Sequence, residues 1–575
     1  MKQNLPNGVE FFEKLWVGSA APYYYVDKTS FLVKLLSSGD EVSLFTRPRR
    51  FGKTLMMTTL KYFLERGCNP AFFRDLEIAG HQELCDRFMG KYPVIFLTLK
   101  SVEGKTFRDA CLALSGVIWE EANRHDQLLG SEKLSDAEKD QYQSLIDIIK
   151  EKDENIFLFQ LKKSIRLLSL LLWRHYSTKP FLLIDEYDVP LQKSYLEGYY
   201  DEMVDLIRGM FGNAMKTNPY VERTVLTGCL RISKESIFTG INNFRVYSLL
   251  SDDYKDSFGF TEEEVAKLMG TYQREFRLQD AKEWYDGYRI GGKEIYCPWD
   301  IINFVSDICV DGNERLTPNP YWMHSSGNDL LIDLVRKTAV KASADLETLI
   351  AGGSLKKPVE EELTCRDLTQ KPSNIWSVLL MTGYLTIDER TADGRLRLRI
   401  PNREVRSIIV RELMGYFSEE AGKNPASTYA LYQAFADQKA AVAESLFNDY
   451  LKGHISIRDS SIRKEMKENF YHGYLLGILS TVDTVSVDSN QESGDGYADI
   501  RILDRNRSMM IIIEVKYAED DELERHCQDA LRQIRVKHYG DAGSSSQMED
   551  CDTVLTYGVA CYRKHCHIKQ GPVYL

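Results

Sequence analysis

Residues 42–54 read Val-Ser-Leu-Phe-Thr-Arg-Pro-Arg-Arg-Phe-Gly-Lys-Thr, and the reading of this stretch decides the fold of the first part of the chain. A short apolar run ends at Phe45, a tight basic loop follows, and Gly52-Lys53-Thr54 opens a stretch with helical spacing. Strand, turn and Gly-Lys-Thr at a helix N-terminus is the order of a phosphate-binding loop. Backbone N–H groups and the helix dipole face the phosphates, the lysine reaches the β and γ groups, and the hydroxyl binds magnesium. The usual spacing puts a glycine about five residues before Gly52. Arg47 stands there, so the match is incomplete and the rest of the chain must complete the site.

It does so at two further strand ends. Pro180-Phe181-Leu182-Leu183-Ile184 is a continuous apolar strand ending in Asp185-Glu186-Tyr187-Asp188, and Arg223-Thr224-Val225-Leu226 ends in Thr227-Gly228. Tyr92 to Leu99 is another buried strand, and helices are expected at 106–125, 156–177 and 199–216. Apolar strands alternating with helices imply an α/β fold, a parallel sheet covered on both faces. Ligands in such sheets bind at the carboxyl ends of strands, where the clusters 47–54, 185–188 and 227–231 all fall. Lys53 and Thr54 are therefore expected to hold phosphate and metal, Asp185 to hold Mg²⁺, and Glu186 to act as the base that polarises the attacking water. Thr227 is placed to sense the γ-phosphate, and Arg231 or an arginine of the basic loop to touch it. The bland alternative, a chance helix start and a helix cap, explains each motif singly but not their order at successive strand ends. Thr227 and Arg231 read equally well as turn and surface residues. Arg47, Arg49 and Arg50 fit phosphate contacts, contacts between subunits or a solvated basic edge, and the sequence does not rank these.

The length of 575 residues exceeds a single core, so two to four domains are expected. A net charge of −12 and a pI near 5.5 argue against a protein that coats nucleic acid or anionic membrane over its whole surface, without excluding a local basic channel. The 11 cysteines include no CxxC pair. Cys561 and Cys566 with His567 form the only cluster, and buried free thiols in a reducing cytosol fit it better than zinc. No signal peptide is expected from the N-terminal residues, and the most apolar helical stretch, Leu167 to Trp173, is far too short for a bilayer. The expected setting is cytoplasmic, with no membrane partner.

Residues 1–41 read as a preamble with an aromatic turn at Tyr23-Tyr24-Tyr25. Residues 130–155 read as a solvated helical insert with Ser135 and Glu138 as a capping box. From about 255 short helices begin, one capped by Thr261 and Glu264. A helix ending near Thr382, strands at Tyr384 to Asp388 and Leu396 to Ile400, and Asp393-Gly394 between them suggest a winged-helix-like module. Helices are then expected at 428–450, 463–479 and 519–539. Strands are expected on either side of Gly494-Asp495-Gly496, at 508–517 and at 553–560.

This last region carries a second constellation. Tyr497-Ala498-Asp499-Ile500 enters a strand after the glycine-rich turn, and Ile511-Ile512-Ile513-Glu514-Val515-Lys516 follows. Side chains alternate along a strand, so Glu514 and Lys516 share a face. Asp499 and Glu514 would hold Mg²⁺ against a phosphodiester while Lys516 orients water or offsets developing charge. Glu468, Tyr471, His472 and Leu475 fall at i, i+3, i+4 and i+7, one helical face. Glu468 is a candidate third acid and metal ligand, and Gln533 on the later helix a candidate supporting residue. A lone Glu-x-Lys is commonly an ordinary amphipathic strand; the added Asp, acid-bearing helix and Gln-bearing helix favour a metal-dependent nuclease site. His472 reads more readily as a core or helix-surface histidine.

Thr46 to Thr54, Leu183-Ile184-Asp185-Glu186-Tyr187-Asp188 and Leu226-Thr227-Gly228 with Leu230-Arg231-Ile232 together resemble the bacterial AAA-ATPase-like family. That family is commonly fused to a C-terminal PD-(D/E)XK nuclease-like domain, which Phe470-Tyr471-His472-Gly473, Glu492 to Gly496 and Ile513-Glu514-Val515-Lys516 also resemble. The resemblance implies that the whole segment Arg47, Pro48, Arg49, Arg50, Phe51, Gly52, Lys53 and Thr54 is the nucleotide-binding loop, with Arg47 a family variant rather than a defect. It further implies a P-loop core over 1–255, a helical lid and winged-helix-like region over 256–424, and a restriction-endonuclease-like α/β domain over 425–575. The reading that follows is an ATP-hydrolysing switch coupled to a Mg²⁺-dependent nuclease domain acting on DNA, in defence or mobile-element biology, with homo-oligomer formation left open by the sequence. The alternative is a nucleotide-dependent regulatory or binding module whose nuclease-like domain recognises nucleic acid or protein without cutting.

Overall fold

A computed structural model describes residues 3–17, 22–216, 218–231, 237–238, 241, 244–310, 318–322, 343–350, 352–363, 367, 372–391, 393–422, 425–454, 464–480, 482, 484–493, 496–518, 520, 522–537 and 551–574. The chain divides into two compact units. The first comprises Met1–Leu330, Lys357–Leu396 and Pro401–Glu404, and the second Leu331–Lys356, Arg397–Ile400 and Val405–Leu575.

The first unit is built on a five-stranded sheet of Val42–Thr46 (β1), Val94–Thr98 (β2), Phe181–Asp185 (β3), Thr224–Gly228 (β4) and Phe244–Tyr247 (β5), in the order β2-β3-β4-β1-β5. Every neighbouring pair runs parallel. β1, β3 and β4 are buried at all five positions, as the continuous apolar runs require of strands covered on both faces. The expected parallel sheet is therefore present, with one strand the sequence did not announce. β5 pairs only with β1 and leaves Arg245 exposed, so its pattern reads as loop.

The helices follow their local signals. Asp153 caps Glu154–Tyr176 through two backbone N–H groups, and the capping boxes at Ser135/Glu138 and Thr261/Glu264 both form. The helix Asp136–Ile146 is not wholly solvated, because Tyr142 and Leu145 are buried and the Tyr142 hydroxyl donates to the Ala122 carbonyl. The helix Tyr200–Phe211 runs into a π-helical turn, Gly212–Lys216.

Beyond the sheet come Tyr288–Ile290 (β6) and Lys293–Ile295 (β7), an antiparallel pair. Among the described residues before 400, Leu355–Lys357 (β8), Thr386–Arg390 (β9) and Leu396–Arg399 (β10) are the remaining strands. Two anchors tie the loop after β1 into the first unit. The Phe51 ring is buried edge-on against Tyr288, and its carbonyl accepts the Gly259 N–H at 3.2 Å. Gly259 has φ +81, and a Cβ there would meet Ile295 at 2.2 Å, so the approach needs glycine. The second anchor is Arg47, whose fully buried guanidinium donates to the carbonyls of Thr46 and Tyr247 at 2.8 Å and of Tyr254 at 3.1 Å.

The second unit holds a mixed sheet of Ser486–Ser493 (β11), Gly496–Asp504 (β12), Met509–Tyr517 (β13), Thr553–Tyr562 (β14) and His565–Gln570 (β15), in chain order. β13 and β14 are parallel and the other pairs antiparallel. Gly494 and Asp495, from the turn singled out in the sequence, lie outside the described residues. Ile511, Ile513 and Val515 pack with helices Pro425–Ala436, Ala440–His454 and Lys464–Leu479, whereas Met510 and Ile512 pack with Leu523–Val536. The expected single helix 428–450 is two, broken at Gln438, which takes φ +59 without a glycine to announce it. The Cys561/Cys566 cluster is a hairpin in which the two residues stand opposite each other, both buried as free thiols.

Replacing Arg47 by Met should destabilise the first unit by about 3 kcal/mol or more, since three buried carbonyl acceptors lose a charged donor. Urea unfolding followed by the fluorescence of the first unit's tryptophans checks this.

Candidate nucleotide and metal sites

The three polar strand ends of the first unit meet. The Thr54 hydroxyl donates to Asp185 Oδ2 at 2.8 Å and the Thr227 hydroxyl to Asp185 Oδ1. Burial, and then the charge of Glu186, push the Asp185 carboxyl up to about 6 against those hydrogen bonds and Lys53. The helix Lys53–Leu64 starts from Gly52 at φ +81. Lys53 Nζ lies 3.2 Å from Glu186 Oε1, 3.2 Å from the carbonyls of Arg47 and Pro48, and 3.5 Å from Cys229 Sγ. Burial penalises its charge, yet Cys229, Glu186, Asp185 and Asp188 outweigh that and hold it above the ordinary lysine value. Two non-glycine residues here, Arg50 at φ +67 and Glu186 at φ +53, take the left-handed conformation, a local strain of about 1 kcal/mol or more each.

These residues open on a cavity of about 520 Å³ that Arg49, Arg50, Phe51, Gly52, Lys53, Thr54 and Glu186 help to line. The lining also takes in residues the sequence reading left in the preamble or the lid, among them Val9, Glu10, Tyr24, Phe260, Trp299 and Ile302. The Tyr23-Tyr24-Tyr25 cluster was the available signal. Not every nucleotide-binding expectation holds at the side-chain level. Arg47 extends β1, its N–H bonding the Gly228 carbonyl, so its side chain enters the packing beneath Tyr247 and Tyr254 instead of facing phosphate. Pro48 is buried, close to Gly383, and offers the site only its carbonyl. The Arg231 guanidinium is taken up by Glu362 at 2.6 Å. The Arg50 guanidinium lies 3.9 Å from the Trp299 ring.

Asp188, quoted in the motif but given no task, pins the segment after β4. Its Oδ2 accepts the N–H groups of Cys229 (3.0 Å) and Leu230 (2.8 Å) and the Gln192 amide (2.7 Å). Thr54 and Asp185 are the oxygen donors suited to the magnesium of a bound nucleotide, a hard cation that prefers carboxylate and hydroxyl oxygen.

In the second unit Asp499, Glu514, Lys516 and Glu468 also converge. Asp499 Oδ2 accepts the Val515 N–H at 2.8 Å, and its carbonyl accepts from His472 Nε2 at 2.8 Å. Lys516 Nζ donates to Glu468 Oε1 at 2.7 Å and Glu514 Oε1 at 3.3 Å, and Glu468 Oε2 accepts the Tyr517 N–H. Helix Lys464–Leu479 thus aims two side chains of one face, Glu468 and His472, at the strands. His472 does more than fill the core, since it fixes the backbone at Asp499. Glu514 is 1% exposed, and its Oε2 is buried without a hydrogen-bond partner. Burial, and then the charge of Asp499, push its carboxyl up to about 8. Among the described residues no three His, Cys, Asp or Glu side chains form a ready-made metal cage; here the Lys516 ammonium bridges two of the acids. A buried, unpartnered carboxylate oxygen beside a second carboxylate nevertheless fits a hard divalent cation. Gln533 is half-buried on Leu523–Val536, beside Ile534, which packs with Met510 and Ile512. No described hydrogen bond joins its side chain to the acids.

Comparison with known proteins bears on both regions. Residues 6–238 match the AAA-ATPase-like family described as "Predicted AAA-ATPase", and residues 466–571 match the PD-(D/E)XK nuclease superfamily. The chain joins an AAA-ATPase-like domain to a PD-(D/E)XK nuclease-like domain. A protein of Azotobacter chroococcum mcd 1, described as an uncharacterized protein in the vnfD 5' region, is 25% identical over 549 residues, which cover 94% of this chain and 93% of that protein. The AAA-ATPase-like match begins before Val9, in keeping with the preamble's share of the cavity wall. The nuclease-like match spans Glu468 to Gln533. Among the described residues no helix is long and apolar enough to cross a membrane.

Glu514 binds its proton more tightly folded than unfolded, so without metal the stability of the second unit falls as pH rises from about 5 toward 8. A divalent cation displaces that proton. Mg²⁺ should therefore raise the melting temperature of the second unit more at pH 9 than at pH 6, and Glu514→Gln should remove the difference; equal shifts at both pH values count against the assignment.

Proposed function

We propose that this chain binds and hydrolyses ATP in the cavity of its first unit, and that its nuclease-like domain cuts DNA with Mg²⁺ under control of the nucleotide state. The observation that carries the reading is one of convergence. One chain gathers a lysine–acid couple at the mouth of a cavity and, in its other unit, two carboxylates and a lysine around an unpartnered carboxylate oxygen.

In the first site Val9, Tyr24, Phe260 and Ile302 offer apolar and aromatic surface for a base, and Lys53 and Thr54 lie at the phosphate end. Lys53 exchanges its contact with Glu186 for phosphate oxygens. Glu186, relieved of that partner, orients the attacking water and accepts its proton. Thr227 reads the same event through Asp185, which it shares with Thr54. Magnesium, when bound, offsets phosphate charge at Thr54 and Asp185.

In the second site Asp499 and Glu514 hold the cation, which when bound supplies an activated water and charge compensation for a phosphodiester. Lys516 leaves its bridge between Glu468 and Glu514 to face the developing charge, and Glu468 keeps the lysine within reach in the meantime. A nuclease held behind a nucleotide gate suits a chain that attacks DNA other than the cell's own, so the proposed setting is defence or mobile-element biology.

Lys53→Ala should reduce ATP hydrolysis about 100-fold or more and with it nucleotide-dependent cleavage. Asp499→Ala and Lys516→Ala should abolish cleavage of linear and supercoiled DNA in Mg²⁺ or Mn²⁺ and leave ATP hydrolysis intact. Wild-type protein that hydrolyses ATP yet cuts no DNA in any nucleotide state, while still binding it, would instead establish a recognition module. Plaque counts on cells carrying wild-type or Lys516→Ala protein test the defence role.

A further inference from the structure

The lysines that line the cavity are each matched by an acid. Lys53 lies 3.2 Å from Glu186, Lys100 2.6 Å from Glu10, Lys193 3.1 Å from Glu103 and Lys28 2.6 Å from Glu264. Arg50 differs. Among the described residues its guanidinium has no hydrogen bond or ion pair; it lies 3.9 Å from the Trp299 ring, and both residues line the cavity. Burial outweighs the charges of Cys297, Asp300 and Glu10 and holds Arg50 below the ordinary arginine value, whereas the groups around Lys53 hold that lysine above its own. The ring itself is fixed on the helix Pro298–Val310. Trp299 Nε1 donates to the Tyr321 carbonyl at 3.3 Å, and the Asn303 amide donates to the Trp299 carbonyl at 2.7 Å. A guanidinium stacked on an indole is held more weakly than one whose fork meets a phosphate. The cavity thus carries a cation matched by no acid, on the very loop that leads into Lys53.

We propose that Arg50 binds the phosphates of the nucleotide, and that it rests on Trp299 and exchanges the ring for phosphate oxygens when nucleotide enters. The inference rests on the ATPase reading above, which sets the phosphates at Lys53 and Thr54. No covalent bond changes. Arg50 gives up a ring face for charge-assisted hydrogen bonds, and its planar fork suits a phosphate as a lysine ammonium does not. Of the three arginines of the loop, Arg47 is committed to three backbone carbonyls and Arg49 counts Gln192 among its partners. Arg50 alone has an aromatic ring as its described resting place. Its departure changes the surroundings of Trp299, so occupancy of the cavity is passed from the loop to the helix Pro298–Val310.

The test reads tryptophan fluorescence and binding on the full chain, with a non-hydrolysable ATP analogue and Mg²⁺ as the probe. The chain has 7 tryptophans, so the share of Trp299 is the difference between wild type and Trp299→Phe. That share should change as the analogue saturates the protein, and Arg50→Ala should remove the change. In calorimetric titrations Arg50→Ala should weaken the analogue about tenfold and leave adenosine, which has no phosphate, within about twofold. Arg50→Lys, which keeps the charge but not the fork, should recover only part of the loss. A Trp299 signal that stays constant while the analogue saturates the wild type overturns the proposal. So does an Arg50→Ala protein that binds the analogue as tightly as wild type, or one that loses analogue and adenosine alike. If Arg50→Ala does not fold, the wild-type signal and the affinity of Arg50→Lys decide the matter on the same terms. Wild-type protein that binds no nucleotide overturns the ATPase reading, and this inference with it.

Discussion

A lysine ammonium that is 3% exposed must be paid for by its surroundings, and most of the first unit can be understood from how Lys53 is accommodated. Its partners come from the loop itself, from the end of β3 through Glu186 and from the segment after β4 through Cys229. Bringing them within about 3.5 Å requires adjacent parallel strands whose carboxyl ends are level, and the β3–β4 and β1–β4 registers supply that. The same convergence leaves Glu186 in the left-handed region and Asp185 wholly buried, features that ordinary packing would avoid.

The loop is stiff because it is anchored on both sides of its turn. Arg47 donates three hydrogen bonds beneath β5, and Phe51 is wedged against Tyr288 where Gly259 lets the chains approach. This explains why a glycine is dispensable at position 47. The left-handed turn is made later, by Arg50 and Gly52, and position 47 serves as an extension of β1. A basic residue there is a structural donor, whereas Arg49 two positions on faces the cavity, so neighbouring arginines of one motif carry unrelated tasks.

The second unit repeats the theme with the signs reversed. Here it is an acid, Glu514, that is buried, and Lys516, Asp499 and Glu468 define its surroundings. Burial raises the cost of its charge, and a proton or a cation can meet that cost. Helix Lys464–Leu479 stabilises the arrangement from one face by holding Lys516 through Glu468 and the Asp499 backbone through His472. The opposite face is covered by Leu523–Val536 through Leu531 and Ile534.

What the amino-acid order determined by itself was local. Apolar runs of strand length, acids at their ends, capping boxes at Ser135 and Thr261, and Gly-Lys-Thr before a helical pattern all read directly, because each depends on neighbours a few residues away. They were enough for the parallel sheet, the order of the two domains and the gathering of Lys53, Thr54, Asp185, Glu186 and Thr227. The tertiary structure decided what depended on distant partners. β5 is a strand only because β1 offers it an edge, and Gln438 breaks a helix without a glycine. The aromatic residues near the N-terminus become cavity wall. Arg47, Arg49 and Arg231 are alike as letters, yet one is buried under carbonyls, one faces the cavity and one is bound to Glu362. A long cationic side chain goes where acceptors wait within its reach, and those acceptors come from segments as far along the chain as Tyr247, Gln192 and Glu362, which only folding brings near.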